Sequence, residues 1–384
     1  MTTAYSLTSA LTRHISQIIS DSGGWIGFDE FMALALYTPG LGYYANDSTK
    51  FGSLPYATQG DTPAPGSDFV TAPEMTPLFG QTVASQVAQA LQVTQTTEVW
   101  EFGAGSGALA LQVLDTLAAL GQPPTRYNIV DLSGSLRARQ QQTLEKYAER
   151  VRWVSELPET LQGVVIGNEV LDAMPVKLLA RTQGVWHERG LARCAPDAAP
   201  PTESTAAFVW RDRPTDLRPP LEPQGEHDYL TEIHPQAESF VRTLGDKLSA
   251  GALFFIDYGF PEAEYYHPQR HMGTVMCHRA HRSDTDPLAD VGLKDVTAHV
   301  NFTGIALAAQ EADMGVLGYC TQARFLMNCG LLSRLEDAST TIRVQAQKLI
   351  MEHEMGELFK VIGLFKGEPW DAIGFTQGDR TDRL

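Results

Sequence analysis

Three glycines stand within five residues in "EVWEFGAGSGALALQVL" (98 to 114), between a short apolar run and a helix-forming one. Without Cβ atoms, Gly103, Gly105 and Gly107 let the loop turn sharply and bring its amides close to a ligand. A strand, a glycine loop and a helix N-terminus together make a nucleotide cradle. Glu101 ends the strand, where it could receive the amino group or polar edge of a cationic, amino-acid-bearing cofactor. Ser106 sits inside the loop, with its hydroxyl expected to face that cofactor. Asp131 ends the next strand, either as an acceptor for ribose hydroxyls or as a cap for the helix "SGSLRARQ". The glycines also satisfy a relaxed dinucleotide pattern and do not choose a cofactor alone. A dinucleotide would want its pyrophosphate on the helix N-terminus, whereas S-adenosylmethionine has no phosphate to place.

A second stretch, "IGNEVLDAMPV" (166 to 176), follows an apolar strand. Asn168, Glu169 and Asp172 therefore fall at the strand's carboxyl end and in the turn beyond it, the edge where open α/β sheets bind ligands. Two carboxylates and an amide there can hold a cation and accept its protons, or merely cap the amides of a helix start. "FFIDYG" (254 to 259) brings Asp257, Tyr258 and Gly259 to the same edge. Cys277, His278 and His281 in "MCHRAHRSD" lack the second paired set of a zinc site, so no metal is expected. His299, in the alternation of "TAHVNF", reads as a satisfied strand histidine. A serine hydrolase would need a G-x-S-x-G elbow, which the loop does not supply.

These residues need a scaffold. Apolar spacing predicts helices in "LTSALTRHISQIIS" and "FDEFMALALY", and residues 46–68 read as a loop. The helix "QTVASQVAQALQV" follows "PEMTPLFG". From 97 to 168 strands and helices alternate: "EVWEF", a helix over 108–120, "RYNIVDLS", the helix "SLRARQQQTLEKYAER", "VRWV" and "GVVIGNEV". Such alternation implies a parallel sheet covered by helices. Residues 176–231 read as an insertion with a hairpin in "KLLARTQGVWHERGLA" and prolines crowding 196–223. The alternation resumes with a helix over 235–249 and the strand "GALFFIDYG". It closes with the helix "TIRVQAQKLIMEHEMGELF" and the strand "KVIGLFKG".

With 384 residues, 43% hydrophobic and 20% charged, the chain has a globular composition. Its net charge of −17 argues against nucleic-acid partners. Four scattered cysteines suggest reduced thiols. No signal pattern and no apolar run near the ~20 residues of a membrane span is present. A cytoplasmic protein without membrane partners is expected.

Taken in order, "FMALALYTPGLGYY", "DFVTAPEMTPLFGQ", "EFGAGSG", "GNEVLDAMPV", "FIDYG", "DVTAHVNF" and "MGELFKVIGLFKG" resemble the MidA family of S-adenosylmethionine-dependent methyltransferases. The resemblance spans roughly 25–365. This chain has Gly24-Trp25-Ile26 where members often show Gly-Pro-Ile. The resemblance implies an α/β fold: a Rossmann-like class I methyltransferase sheet with an N-terminal helical cap and an inserted or appended α+β region. It divides the chain into a cap (1–95), a cofactor-binding core (96–260, insertion near 176–231) and a mixed C-terminal region (261–384). S-adenosylmethionine would be held by Glu101, Gly103, Gly105, Ser106, Gly107, Asp131 and Asn168, with residues 69–79 closing over it. Mitochondrial members are complex I assembly factors described as protein arginine methyltransferases. An arginine-bearing protein substrate gripped by Glu169 and Asp172, with Asn168 and Tyr258 shaping the pocket, follows by the same resemblance, and a homodimer is admissible. The rival readings are an NAD-dependent oxidoreductase and a non-catalytic assembly chaperone.

Overall fold

The computed structural model describes residues 2–46, 71–131, 134–194, 207–279 and 282–384. The chain forms two compact units, each assembled from separated segments. One comprises Met1–Ser48, Ala173–Ala237 and Glu262–His299, the other Thr49–Asp172, Glu238–Pro261 and Val300–Leu384. The N-terminal 95 residues are thus divided between both units.

The second unit carries the alternating pattern. Its sheet runs Gly315–Thr321, Phe359–Lys366, Leu248–Phe260, Leu161–Asn168, Glu98–Phe102, Arg126–Val130, Val151–Val154, with Val300–Asn301 beside Leu248–Phe260. The five strands from Leu248–Phe260 to Val151–Val154 are parallel, while Phe359–Lys366 is antiparallel to both neighbours. Strand order reverses between Glu98–Phe102 and Leu161–Asn168, the switch point at whose carboxyl ends open α/β sheets bind ligands. Register lines those ends up: Phe102 lies opposite Val130 and Gly167, and Asn168 opposite Ile256. The loops beginning at Gly103, Asp131 and Glu169 consequently leave adjacent strands, and Asp257 follows directly on Ile256 in a strand that runs on to Phe260.

The core beneath is apolar and continuous, with Val99, Ile129, Val164, Ile166, Phe254 and Val361 from the sheet packed on Phe79, Val83, Val87, Leu109 and Val113 from two helices. Those helices, Pro77–Thr94 and Ala108–Ala119, bury their small and branched faces. The first begins four residues before the expected "QTVASQV", because Pro77 suits the first helical position and Thr76 Oγ1 accepts from the Leu78 amide at 3.4 Å. Two other expected helices are interrupted. Gly134–Thr143 gives way to a short 3-10 turn at Glu145–Tyr147, and Thr340–Ile350 to a π turn at Glu352–Gly356. A Cβ on Gly356 would lie 2.4 Å from the Ile350 backbone, an approach only glycine allows.

The first unit holds the helices Thr2–Asp21 and Phe28–Tyr37 and two antiparallel sheets. The expected hairpin is present as Lys177–Thr182 and Val185–Arg193, with left-handed Gln183 and Gly184 supplying the tight turn. Phe208–Pro214 adds a further strand from the proline-rich stretch; residues 195–206 lie outside the described residues, as do 47–68 of the expected loop. His299 stands just after the strand Asp295–Thr297, not within it. No described helix is long and apolar enough to cross a membrane.

Candidate active site

All three glycines adopt left-handed backbone angles, with φ of 64°, 53° and 84° at Gly103, Gly105 and Gly107. A side chain at these positions is strained whatever space surrounds it. The Gly103 amide donates to Val130 O at 3.1 Å, and the helix Ala108–Ala119 starts directly after Gly107. The strand–loop–helix cradle read from sequence is therefore formed.

Glu101 lies under this loop and is buried. The Tyr127 hydroxyl donates to Glu101 Oε2 at 2.5 Å. Burial pushes its carboxyl up to about 8; the Tyr127 hydrogen bond pulls it down, and the negative charge of Asp131 adds to the rise. A carboxyl so placed regains its charge when a cation arrives. Asp131, at the end of the neighbouring strand, accepts at Oδ2 from Gln140 Nε2 at 2.8 Å.

Ser106 differs from expectation. Its hydroxyl donates to Glu74, on the short helix Ala72–Met75, and accepts from the Ala108 amide at 3.3 Å. The side chain thus fixes the loop to that helix. Phe69, part of the expected closing segment, lies outside the described residues.

The other two strand ends bring Asn168, Glu169, Asp172 and Tyr258 together. Asn168 Nδ2 donates to Glu169 Oε1 at 3.0 Å, and Tyr258 donates to Asp172 Oδ2 at 2.5 Å. The Asn168 Oδ1 atom is buried without a hydrogen-bond partner among the described residues. Glu169 has φ of 55°, a strained angle for a residue with a side chain, and its amide donates to Ile256 O at 2.9 Å.

The sequence brings Asp257 only to the carboxyl edge of a buried strand. The structure gives it a larger part. Fully buried, its Oδ2 accepts from the amides of Val170, Leu171 and Asp172 at 3.1, 2.9 and 3.3 Å, and its Oδ1 from Tyr258 N at 3.0 Å. Asp257 is the peg on which the Glu169–Asp172 turn hangs. Burial, then the charges of Asp172 and Glu169, hold its carboxyl well above the usual range. Gln140, in the run "RQQQT", carried no signal in the sequence, because its role exists only once three strand ends converge.

No group of metal-ligating side chains occurs among the described residues; His281 is outside them. A glycine loop with free geometry for close amides, a buried acid beneath it, a second acid on the adjacent strand and a partnerless buried amide oxygen at the switch point fit an adenosyl amino acid. The strand order and this site define a Rossmann-like class I methyltransferase.

The family model described as "Putative S-adenosyl-L-methionine-dependent methyltransferase" matches residues 82–320, and the chain belongs to that family. A Burkholderia thailandensis protein whose crystal structure holds S-adenosyl-homocysteine is 46% identical, with a TM-score of 0.91 over 99% of this chain and 98% of that one. A second crystal structure from the same organism is 45% identical with a TM-score of 0.86, covering 99% and 98% of the two chains. The Danio rerio "Protein arginine methyltransferase NDUFAF7, mitochondrial" is 25% identical over 92% of this chain and 86% of its own. The chain is an S-adenosylmethionine-dependent methyltransferase. Neither the oxidoreductase nor the non-catalytic reading is favoured by these matches.

Proposed function

We propose that this methyltransferase modifies arginine side chains of a protein substrate, with Glu169 and Asp172 gripping the guanidinium. The observation carrying this reading is the pair of carboxylates on a strained turn at the strand ends, braced by Asp257 and by the Tyr258 hydroxyl. The Danio rerio relative, named a protein arginine methyltransferase, supports it; a role in complex I assembly is a further proposal that rests on the resemblance to the MidA family.

Bound S-adenosylmethionine supplies an electrophilic methyl group on a sulfonium sulfur. In this reading Glu101 receives the cofactor's ammonium group, and Gly103, Gly105 and Gly107 bare the backbone around its amino-acid portion. Ser106 contributes its amide, its hydroxyl being engaged with Glu74. Asp131 takes the ribose hydroxyls and Asn168 Oδ1 a further polar edge. A guanidinium stays protonated in water, with a pKa above roughly 12, so a neutral pocket would not hold it. Two carboxylates pair with it bidentately and aim one nitrogen at the methyl carbon. As the N–C bond forms and the methyl group's bond to sulfur breaks, leaving the neutral thioether of S-adenosylhomocysteine, a carboxylate takes the proton that nitrogen sheds. Asn168 and Tyr258 hold the two acids in place.

The buried thiols of Cys277, Cys320 and Cys329, none of them in a disulfide, favour a reducing compartment, and we place the protein in the cytoplasm on that ground. The test of function is labelled methyl incorporation from S-adenosylmethionine into a lysate of cells lacking the gene, followed by acid hydrolysis. Methylarginine is the expected product. Methyl-lysine or a methylated small molecule would overturn the substrate assignment.

A further inference from the structure

Gln140 lies on the helix Gly134–Thr143 and is completely buried. Its Nε2 donates to the Gly105 carbonyl at 3.0 Å and to Asp131 Oδ2 at 2.8 Å, while its Oε1 accepts from the Trp153 indole at 2.9 Å. The orientation of the amide is determined by its partners. A carbonyl accepts, an ionised carboxylate accepts, and an indole N–H only donates. One side chain therefore ties together the glycine loop, the end of Arg126–Val130 and the strand Val151–Val154. Thr143, on the same helix, adds a bond from its hydroxyl to Ser106 O at 2.9 Å. Because a trans peptide holds its C=O and N–H on opposite sides, fixing the Gly105 carbonyl toward Gln140 turns the Ser106 N–H away from it.

We propose that Gln140 is a positioning residue for the cofactor's nucleoside: it sets the Asp131 carboxylate for the ribose hydroxyls by bracing it against the glycine loop. The inference rests on the reading that Asp131 accepts those hydroxyls. An unbraced carboxylate would have to be ordered at each binding event, a cost the Gln140 bond removes in advance. The effect belongs to the nucleoside half of the site and leaves the acceptor side untouched.

Calorimetry with S-adenosylhomocysteine and its 2′,3′-dideoxy analogue tests this on the purified full chain. Gln140→Met, nearly isosteric but unable to donate, is expected to weaken S-adenosylhomocysteine about tenfold or more and to leave the dideoxy analogue within about threefold of wild type. Asp131→Asn should behave alike, and the double variant should be little worse than either single one. Gln140→Glu places a carboxylate beside Asp131, so its deficit should shrink as pH falls and the new acid regains a proton to donate. That variant also serves should Gln140→Met fold poorly. Equal weakening of both ligands by Gln140→Met, a deficit that multiplies with Asp131→Asn, or a Gln140→Glu deficit independent of pH would reduce Gln140 to a structural role. Normal binding by Asp131→Asn would instead remove the ribose reading itself, and the inference with it, whatever the Gln140 variants did.

Discussion

Tyr258 donates its hydroxyl to Asp172 Oδ2 at 2.5 Å across 86 residues of sequence. The bond joins the ends of two adjacent parallel strands, and Tyr258 is held for it by edge-on packing against Phe359, with centroids 5.3 Å apart. A carboxylate fixed in this way presents a defined lone-pair direction to a cation.

If Asp172 and Glu169 grip the acceptor, neutralising either should spare the cofactor. Glu169→Gln and Asp172→Asn are expected to bind S-adenosylhomocysteine within about threefold of wild type. Methyl incorporation should fall by roughly two to three powers of ten, since an ionic partner removed from a desolvated guanidinium costs on the order of 3–5 kcal/mol. Tyr258→Phe, which leaves the charge and removes only its anchor, should lose about tenfold. Carboxylate variants that transfer methyl groups at the normal rate would return these residues to the role of turn caps.

Asp257→Ala leaves three turn amides and the Tyr258 amide without their acceptor. A buried unsatisfied donor costs about 1–3 kcal/mol, so urea unfolding should register a loss of at least ~2 kcal/mol. Methyl transfer should decline with it while cofactor affinity stays near normal if, as proposed, the turn serves the acceptor. Asp257→Asn keeps one accepting oxygen and should recover part of both losses. An alanine variant as stable as wild type would show that the turn holds itself.

The parallel sheet, its carboxyl-end loops and the glycine cradle were legible because each has a local signature: apolar runs bounded by Gly, Asn and Asp. The carboxylates at 169 and 172 were legible because a strand end is a place, not a fold. Gln140 was not, since an interior glutamine in a polar helix looks solvated until the glycine loop and two neighbouring strands meet it. The orientation of Ser106 toward Glu74 was missed for a related reason: the partner comes from a four-residue helix some thirty positions upstream. Asp257 reads from sequence only as a residue of the sheet edge, because its grip on the amides of 170–172 depends on the parallel pairing of two strands distant in sequence.

Gly105→Val addresses the cradle directly. With φ at 53°, a β-branched residue there pays a backbone penalty on the order of 1–3 kcal/mol, and its side chain intrudes where a ligand approaches the loop. Loss of S-adenosylhomocysteine binding by at least about a hundredfold, in a protein retaining its circular dichroism spectrum, is expected. Unchanged affinity in the folded variant would leave the loop a purely structural turn.

Glu101 gives the site a pH signature. Its carboxyl, with a folded value of about 8 against 4.5 for an ordinary glutamate, is protonated in the ligand-free protein where the unfolded chain is ionised. The folded state therefore binds the extra proton between those values, and stability falls as pH rises through that window. The contribution is fully present below about 4.5 and is lost above about 8, amounting to a few kcal/mol at most by order of magnitude. Glu101→Gln cannot ionise, so melting temperatures of ligand-free wild type and variant should converge near pH 5 and separate by pH 8, the variant being the more stable. The two buried acids Glu232 and Asp257, whose carboxyls are also raised, act equally in both proteins and cancel from the comparison. Saturating S-adenosylhomocysteine, whose ammonium would pair with the ionised carboxylate, should narrow the gap at pH 8 by stabilising wild type more than the variant. A variant whose melting curve tracks wild type at every pH would mean that Glu101 is already ionised in the free protein, and the carboxyl beneath the glycine loop would then meet its cofactor as a preformed charge.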